Sequence, residues 1–358
     1  MKKRFYLPAV IFTAFLLVLS ACSKDDDDNG KNGKNGDPEP LTPREQAIHD
    51  YKTMYLASAM SDPGFTGTLA GCDAGAVSQE SHDNVVLRIN YFRKLVGLNY
   101  DLVLNASQND MCQEASLYMI ANNTLTHYPS PSGQCYTQGA YDAASQGNIA
   151  ISWGHPGNSA NHSVNAVTGY IEDPGDHNKP VGHRAWLLQP ELSRIGHGSV
   201  WFTDGNRAAN CLMWGDNITG SPSSLEFVAY PPNGYMPGPL VFPRWSFSIP
   251  GATFGSAEVS MTGPSGNVNL QIVHRSTSSG GMPDPRIVWE PQGIVTSGNN
   301  DIVYSVTVSN ITGAPKDSYT YEVTIIPGMQ LARYGIPMES DTEKEEIAPG
   351  AFRKILAK

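Results

Sequence analysis

The sequence predicts an α+β protein: several helices with a small antiparallel sheet over residues 41–224, then an all-β sandwich over residues 225–328. Three observations lead there. Apolar residues recur at helical spacing in "SQESHDNVVLRINYFRKLVGL", where Val85, Ile89, Phe92 and Val96 form one stripe. "RIGHGSVWFTD" and "ANCLMWGDN" read as two strands of a hairpin turning at "DGNR". From about Leu225 the texture changes to short alternating segments split by Gly, Pro and Asn. Seven such segments, from "LEFVAYPPNGYMP" to "YTYEVTII", are the pattern of an immunoglobulin-like or fibronectin-like sandwich.

The first helix is expected in "LTPREQAIHDYKTMYLASAM", where Thr42 caps, Pro43 fits the first turn and Glu45 completes a capping box. A turn-rich connector, "SDPGFTGTLAGCDAG", leads to the striped helix, which Gly97 ends. "NASQNDMCQEASLYMIANN" is a third helix, and "VNAVTGYIED" a fourth that stops before Pro174. Residues 329–358 form a tail with a candidate helix in "EEIAPGAFRKILAK".

At 358 residues the chain is long enough for two domains with their own cores. The formal charge of −10 owes much to "SKDDDD" and "MESDTEKEE". No basic patch with interleaved aromatics occurs, which argues against nucleic acid as a partner. Sparse charge with 35 Gly and 26 Pro favours a loop-rich extracytoplasmic protein. Residues 1–21 agree: "MKKR" precedes an apolar run with the length of a signal peptide. "LSAC" resembles a lipobox, which implies a diacylated Cys22 as mature N-terminus and a membrane tether through its acyl chains. Residues 22–40, rich in Asp, Gly and Asn, read as a self-repelling spacer. Acidic residues after the lipid cysteine resemble the surface-export signal of some Gram-negative lipoproteins, so the expected location is the outer membrane, facing outward. Four further cysteines, Cys72, Cys112, Cys135 and Cys211, read as two disulfides. Of three connectivities, the expectation taken is Cys72–Cys112 with Cys135–Cys211.

Residues 85–200 resemble the CAP superfamily of cysteine-rich secretory, antigen 5 and pathogenesis-related proteins. "RINYFRKLVGLNYDLVLNASQNDMCQEASLYMIANNTLTH" is similar to its first two helices and the loop ending in a cavity histidine. "ASQGNIAIS", "VTGYIED" and "VGHRAWLLQPELSRIGHGSV" resemble, in order, three further family segments. The resemblance implies an α-β-α sandwich with a cleft where His127, His183 and Asp173 meet, flanked by Glu172 and Asn148. It also implies that a divalent ion, zinc above all, is a candidate ligand of His127 and His183. One family acid is replaced by Gly147, however. Two imidazoles and one carboxylate could hold zinc, but no base then remains for a bound water; alternatively Asp173 simply orients an imidazole.

The reading is therefore a lipid-anchored binding or interaction protein whose cleft takes a peptide, lipid or glycan, and not an enzyme. The alternative is a metal-dependent hydrolase of the cell envelope. No nucleophile elbow, H-E-x-x-H or phosphate loop is present. Arg184 is expected to meet a carboxylate or pack on a helix, Asn148 to bond backbone in a turn, and Gly182 to permit close backbone approach. Trp186, Leu187 and Leu188 are expected in the core. His155, His162, His177 and His197 are taken as solvent-facing.

Overall fold

A computed structural model describes residues 40–153, 162–278, 283–329 and 355–356. The signal segment, Cys22, the acidic spacer, His155 and almost all of the 329–358 tail lie outside the described residues.

The chain opens with α1 (Pro43–Asp50), capped by Thr42 and Glu45 as the capping box requires, and runs on into a π-helical turn, Tyr51–Leu56. Next come α2 (Gln79–Leu95), β1 (Val103–Leu104), α3 (Ala106–Ala121), α4 (Gln138–Ser145) and β2 (Gly147–Ser152). After α5 (Ser163–Glu172) and α6 (Gly182–Leu187), β3 (Arg194–Phe202) and β4 (Arg207–Met213) form the expected hairpin. Sequence periodicity had no purchase on α4 and α6, of 8 and 6 residues: such segments present two turns at most, and packing decides them.

The sheet order is β1-β3-β4-β2, with β1 parallel to β3 and the other pairs antiparallel; β14 (Ile355–Leu356) pairs with β2 at the edge. Helices cover both faces. Ile149, Ile151, Ala209 and Cys211 pack with α3 and α4, whereas their neighbours Ala150 and Leu212 join the core shared with α2 and α5. That period-2 division makes an α-β-α sandwich in which strands are buried on both sides. Gly198 is needed where α3 crosses β3: a Cβ there would collide with the backbone of Cys112 and Gln113.

The β-rich part contains β5 (Val228–Tyr230), β6 (Gly234–Pro237), β7 (Trp245–Ser248), β8 (Glu258–Gly263), β9 (Gly266–Asn267), β10 (Leu270–Arg275), β11 (Arg286–Pro291), β12 (Ile302–Ser309) and β13 (Tyr319–Ile326). They form two sheets, β10-β11-β7-β5 and β6-β13-β12-β8-β9. Buried side chains join the sheets: Trp245 meets Tyr304 edge-on, Phe247 stacks on Tyr321, and Trp289 lies beside Met261. The apolar core runs without a break from α2 and α5 into these sheets, through residues such as Phe92 and Tyr230. Arg184 fastens this junction. Its buried guanidinium donates to the carbonyls of Ile171, Glu172 and Arg244 and to Ser246 Oγ, over the ring of Tyr230. The expected carboxylate partner is thus replaced by carbonyls, which a fully buried guanidinium can satisfy with its five donors.

The disulfide expectation is corrected. Cys72 pairs with Cys135, their Cα atoms 5.1 Å apart, while Cys112 and Cys211 are free and buried. Cys112 on α3 and Cys211 on β4 behave as small apolar residues of the layer between them.

Candidate functional site

The loop between α3 and α4 carries His127 and is held at several points. Asn122 exchanges hydrogen bonds with the backbone of Gln134, Tyr118 Oη accepts from Ser130 N–H, and Cys135 is tied to Cys72. His127 itself donates from Nδ1 to the carbonyl of Ala144, 2.6 Å away. That bond fixes the neutral tautomer and leaves Nε2 as an acceptor. Burial lowers the basicity of His127, and nearby His183 lowers it further, against the opposing effect of its carbonyl partner.

His183 stands on α6. Asp173, the left-handed residue that ends α5 at φ 53°, is fully buried and turns its carboxylate across to that helix. One oxygen accepts from His183 Nδ1 at 2.8 Å and the other from the His183 backbone N–H at 3.0 Å. Asp173 thus orients the imidazole and caps the short helix at once, and Arg244 Nη1 binds its carbonyl from the β-rich part. Tyr170 stacks on the His183 ring, with centroids 5.5 Å apart. Asn148 donates its amide to the His183 carbonyl. It does so from the interior of strand β2 and not from a turn. The far end of α6 is fixed by Arg93, which donates to the carbonyls of Leu187 and Gln189.

His127 and His183 line one cavity of about 360 Å³ with Asn148, Gly147 and Ser145. Trp186, Trp214, Tyr128, His177 and Asn178 also line it. Glu172 and Asp173 are not part of the lining. Gly182 borders the cavity, and a Cβ there would meet nothing within 4 Å, so close backbone approach is not its role. Gly147 is the crowded position: a Cβ would come within 2.7 Å of the Ala143 carbonyl oxygen and 2.9 Å of that of Leu212. The acid of the family pattern has no room to start from this backbone.

Trp186 is the residue the sequence reading misplaced most usefully. Leu187 and Leu188 are core, but Trp186 is only partly buried and stacks face to face on Trp214, with centroids 3.6 Å apart and planes 8° from parallel. No spacing in the sequence links these two indoles. His177 is exposed as expected, whereas His162 and His197 are buried. His197 lies on β3, in a sheet that helices cover on both faces, and His162 precedes α5 and stacks on Trp201 of β3.

A divalent ion finds two protein nitrogens here, the Nε2 atoms of His127 and His183. Both Asp173 oxygens are engaged by His183, and among the described residues no group of three histidine, cysteine or carboxylate side chains is placed to hold a metal. Catalytic zinc sites use three protein ligands, so the residues present do not fit a resident catalytic ion.

An α-β-α sandwich with a two-histidine cleft, one ring held by a buried aspartate, defines the class of domain. Residues 86–214 match the family model CAP, the cysteine-rich secretory protein family. No curated protein and no solved structure matches the chain.

Proposed function

We propose that the protein is a lipid-anchored extracytoplasmic binding protein: Cys22 tethers it to the membrane, and the cleft between His127 and His183 receives a ligand. The CAP domain supports an extracellular binding or interaction role at the level of the family. One observation carries the choice of binding over hydrolysis. Asp173, the carboxylate nearest the cleft histidines, spends both oxygens on His183, and no Asp, Glu, Lys or Arg among the described residues lines the cavity. In a metal-dependent hydrolase both histidines would be ligands, and a separate base would have to lie within hydrogen-bond reach of the bound water; no carboxylate among the described residues lines the cavity to serve as one. The β-rich part, read as an immunoglobulin-like sandwich, serves as a rigid extension of the cleft domain.

The experiment is a panel of peptide and ester substrates offered to the full chain with and without a chelator. The expected outcome is no chelator-sensitive turnover, together with weak zinc binding that a His127→Ala, His183→Ala double variant loses. Robust turnover abolished by Asp173→Asn would overturn the binding reading in favour of a metal-dependent hydrolase. Mass spectrometry of the mature N-terminus tests the anchor separately, with acylated Cys22 as the expected species.

A further inference from the structure

We infer that the cleft selects a neutral carbohydrate, one sugar ring lying against the Trp186–Trp214 pair while its hydroxyls donate to the two histidines. This rests on the reading of the cavity as a ligand site and narrows it to one chemical class.

Three features converge. The first is charge. The lining among the described residues contains no Lys, Arg, Asp or Glu, and Asp173 is already committed to His183. A phosphate, carboxylate or ammonium group brought into the cavity would lose water without gaining a counter-ion, which is costly. The second is hydrogen-bonding polarity. His127 and His183 each donate from Nδ1, to Ala144 O and Asp173 Oδ1, which leaves their Nε2 atoms for a ligand. Two imidazole nitrogens on one cavity lining match a molecule dense in hydroxyl groups. The third is shape and surface. At about 360 Å³ the cavity falls within the ~300–1,000 Å³ range of small-ligand sites. Its aromatic lining is the half-buried Trp186–Trp214 stack, with Tyr128, a residue 71% exposed, also lining the cavity.

The negative face of an indole attracts the weakly positive C–H bonds on the flat side of a pyranose, and the stacked pair is held rigid before the ligand arrives. An acyl chain would gain from the indoles but leave both Nε2 atoms desolvated and unpaired. A peptide could supply N–H donors, yet nothing in the lining would read its side-chain charges.

The two tryptophans provide the readout. Chitotriose, cellotriose, maltotriose and mannotriose are titrated into the full chain, following tryptophan fluorescence and heat, with an acetylated tripeptide amide and laurate as comparators. At least one trisaccharide is expected to bind saturably. Trp186→Ala should weaken it by about tenfold and Trp186→Phe by less, since a smaller aromatic face remains. Tyr128→Ala, at a highly exposed position that does not threaten the fold, should weaken it by about threefold. Melting curves check that the Trp186 variants are folded. Failure of all four trisaccharides overturns the inference. If the peptide or laurate binds instead, and the His127→Ala, His183→Ala variant abolishes it, the cleft reading stands and the carbohydrate class falls. Sugar binding that survives both the tryptophan and the histidine substitutions lies elsewhere and overturns both.

Discussion

His127 and His183 open onto a cavity, whereas His162 and His197 are sealed where α5 and α2 meet β3. The cleft rings each have one nitrogen fixed by the protein and one left for a ligand. In the sealed group, His197 uses both: its Nδ1 shares a proton with His82 Nδ1 at 3.0 Å, and its Nε2 meets Ser199 Oγ at 3.3 Å. His162 stacks on Trp201, and both its buried nitrogens lack a partner among the described residues. Burial lowers the basicity of His127, His162 and His197 alike. A depressed pKa therefore does not mark the site here. The nitrogen left without a protein partner beside open space does.

The largest break in this contrast is expected from Asp173→Ala. It removes both acceptors from His183 and puts a Cβ-bearing residue without a polar side chain at a left-handed φ of 53°. Unfolding in urea should show a loss of about 3–5 kcal/mol. Asp173→Asn should cost less, because asparagine tolerates that conformation and keeps one acceptor. An equal loss in both variants would mean that the orientation of His183 contributes nothing beyond charge.

Next in size is an acid effect that belongs to the sealed histidines. His162 is held down to about 4 by burial, with a partial offset from Asp62, against 6.5 for a free imidazole. Below pH 6.5 the unfolded chain takes up a proton that the folded chain refuses. Stability is thus intact above that pH and falls as pH drops towards 4, by roughly 3 kcal/mol for this residue alone. Melting temperature measured across that window should fall in the natural protein and fall less in His162→Phe, whose ring keeps the stack on Trp201. Parallel curves would remove His162 from the account.

The smallest effect sharpens the other side of the comparison. His127→Ala should reduce stability by only about 1 kcal/mol, the worth of one neutral hydrogen bond. By nuclear magnetic resonance His127 should titrate reversibly in the folded protein, below the ordinary histidine value. His197, deeply buried and flanked by His82 and His162, should show no titration before unfolding begins. Reversible titration of both would erase the distinction.

Much of this architecture was legible in local sequence. Val85, Ile89, Phe92 and Val96 are buried on one stripe as their spacing requires, and the Thr42–Glu45 capping box forms where its residues stand. The hairpin of β3 and β4 follows from two apolar runs around a polar turn. His197, expected to face solvent for want of a partner motif, is buried instead. Here helices cover both faces, so its position between Gly196 and Gly198 says nothing about exposure. The cysteine pairing was illegible for a related reason: a disulfide needs Cα atoms within about 7 Å, and the distance across 63 residues is set by the fold.

The chain by itself determined the order of helices and strands and the change to β structure after Leu225, because these rest on periodicity, caps and turn residues a few positions apart; that His127 and His183 share a cleft was implied only by the family resemblance. Tertiary structure alone decided that Asp173 faces inward to His183, that Gly147 has no space for a side chain, and that Trp186 meets Trp214. Each of these depends on the distance between elements far apart in the chain, and only the packed three-layer domain sets that distance.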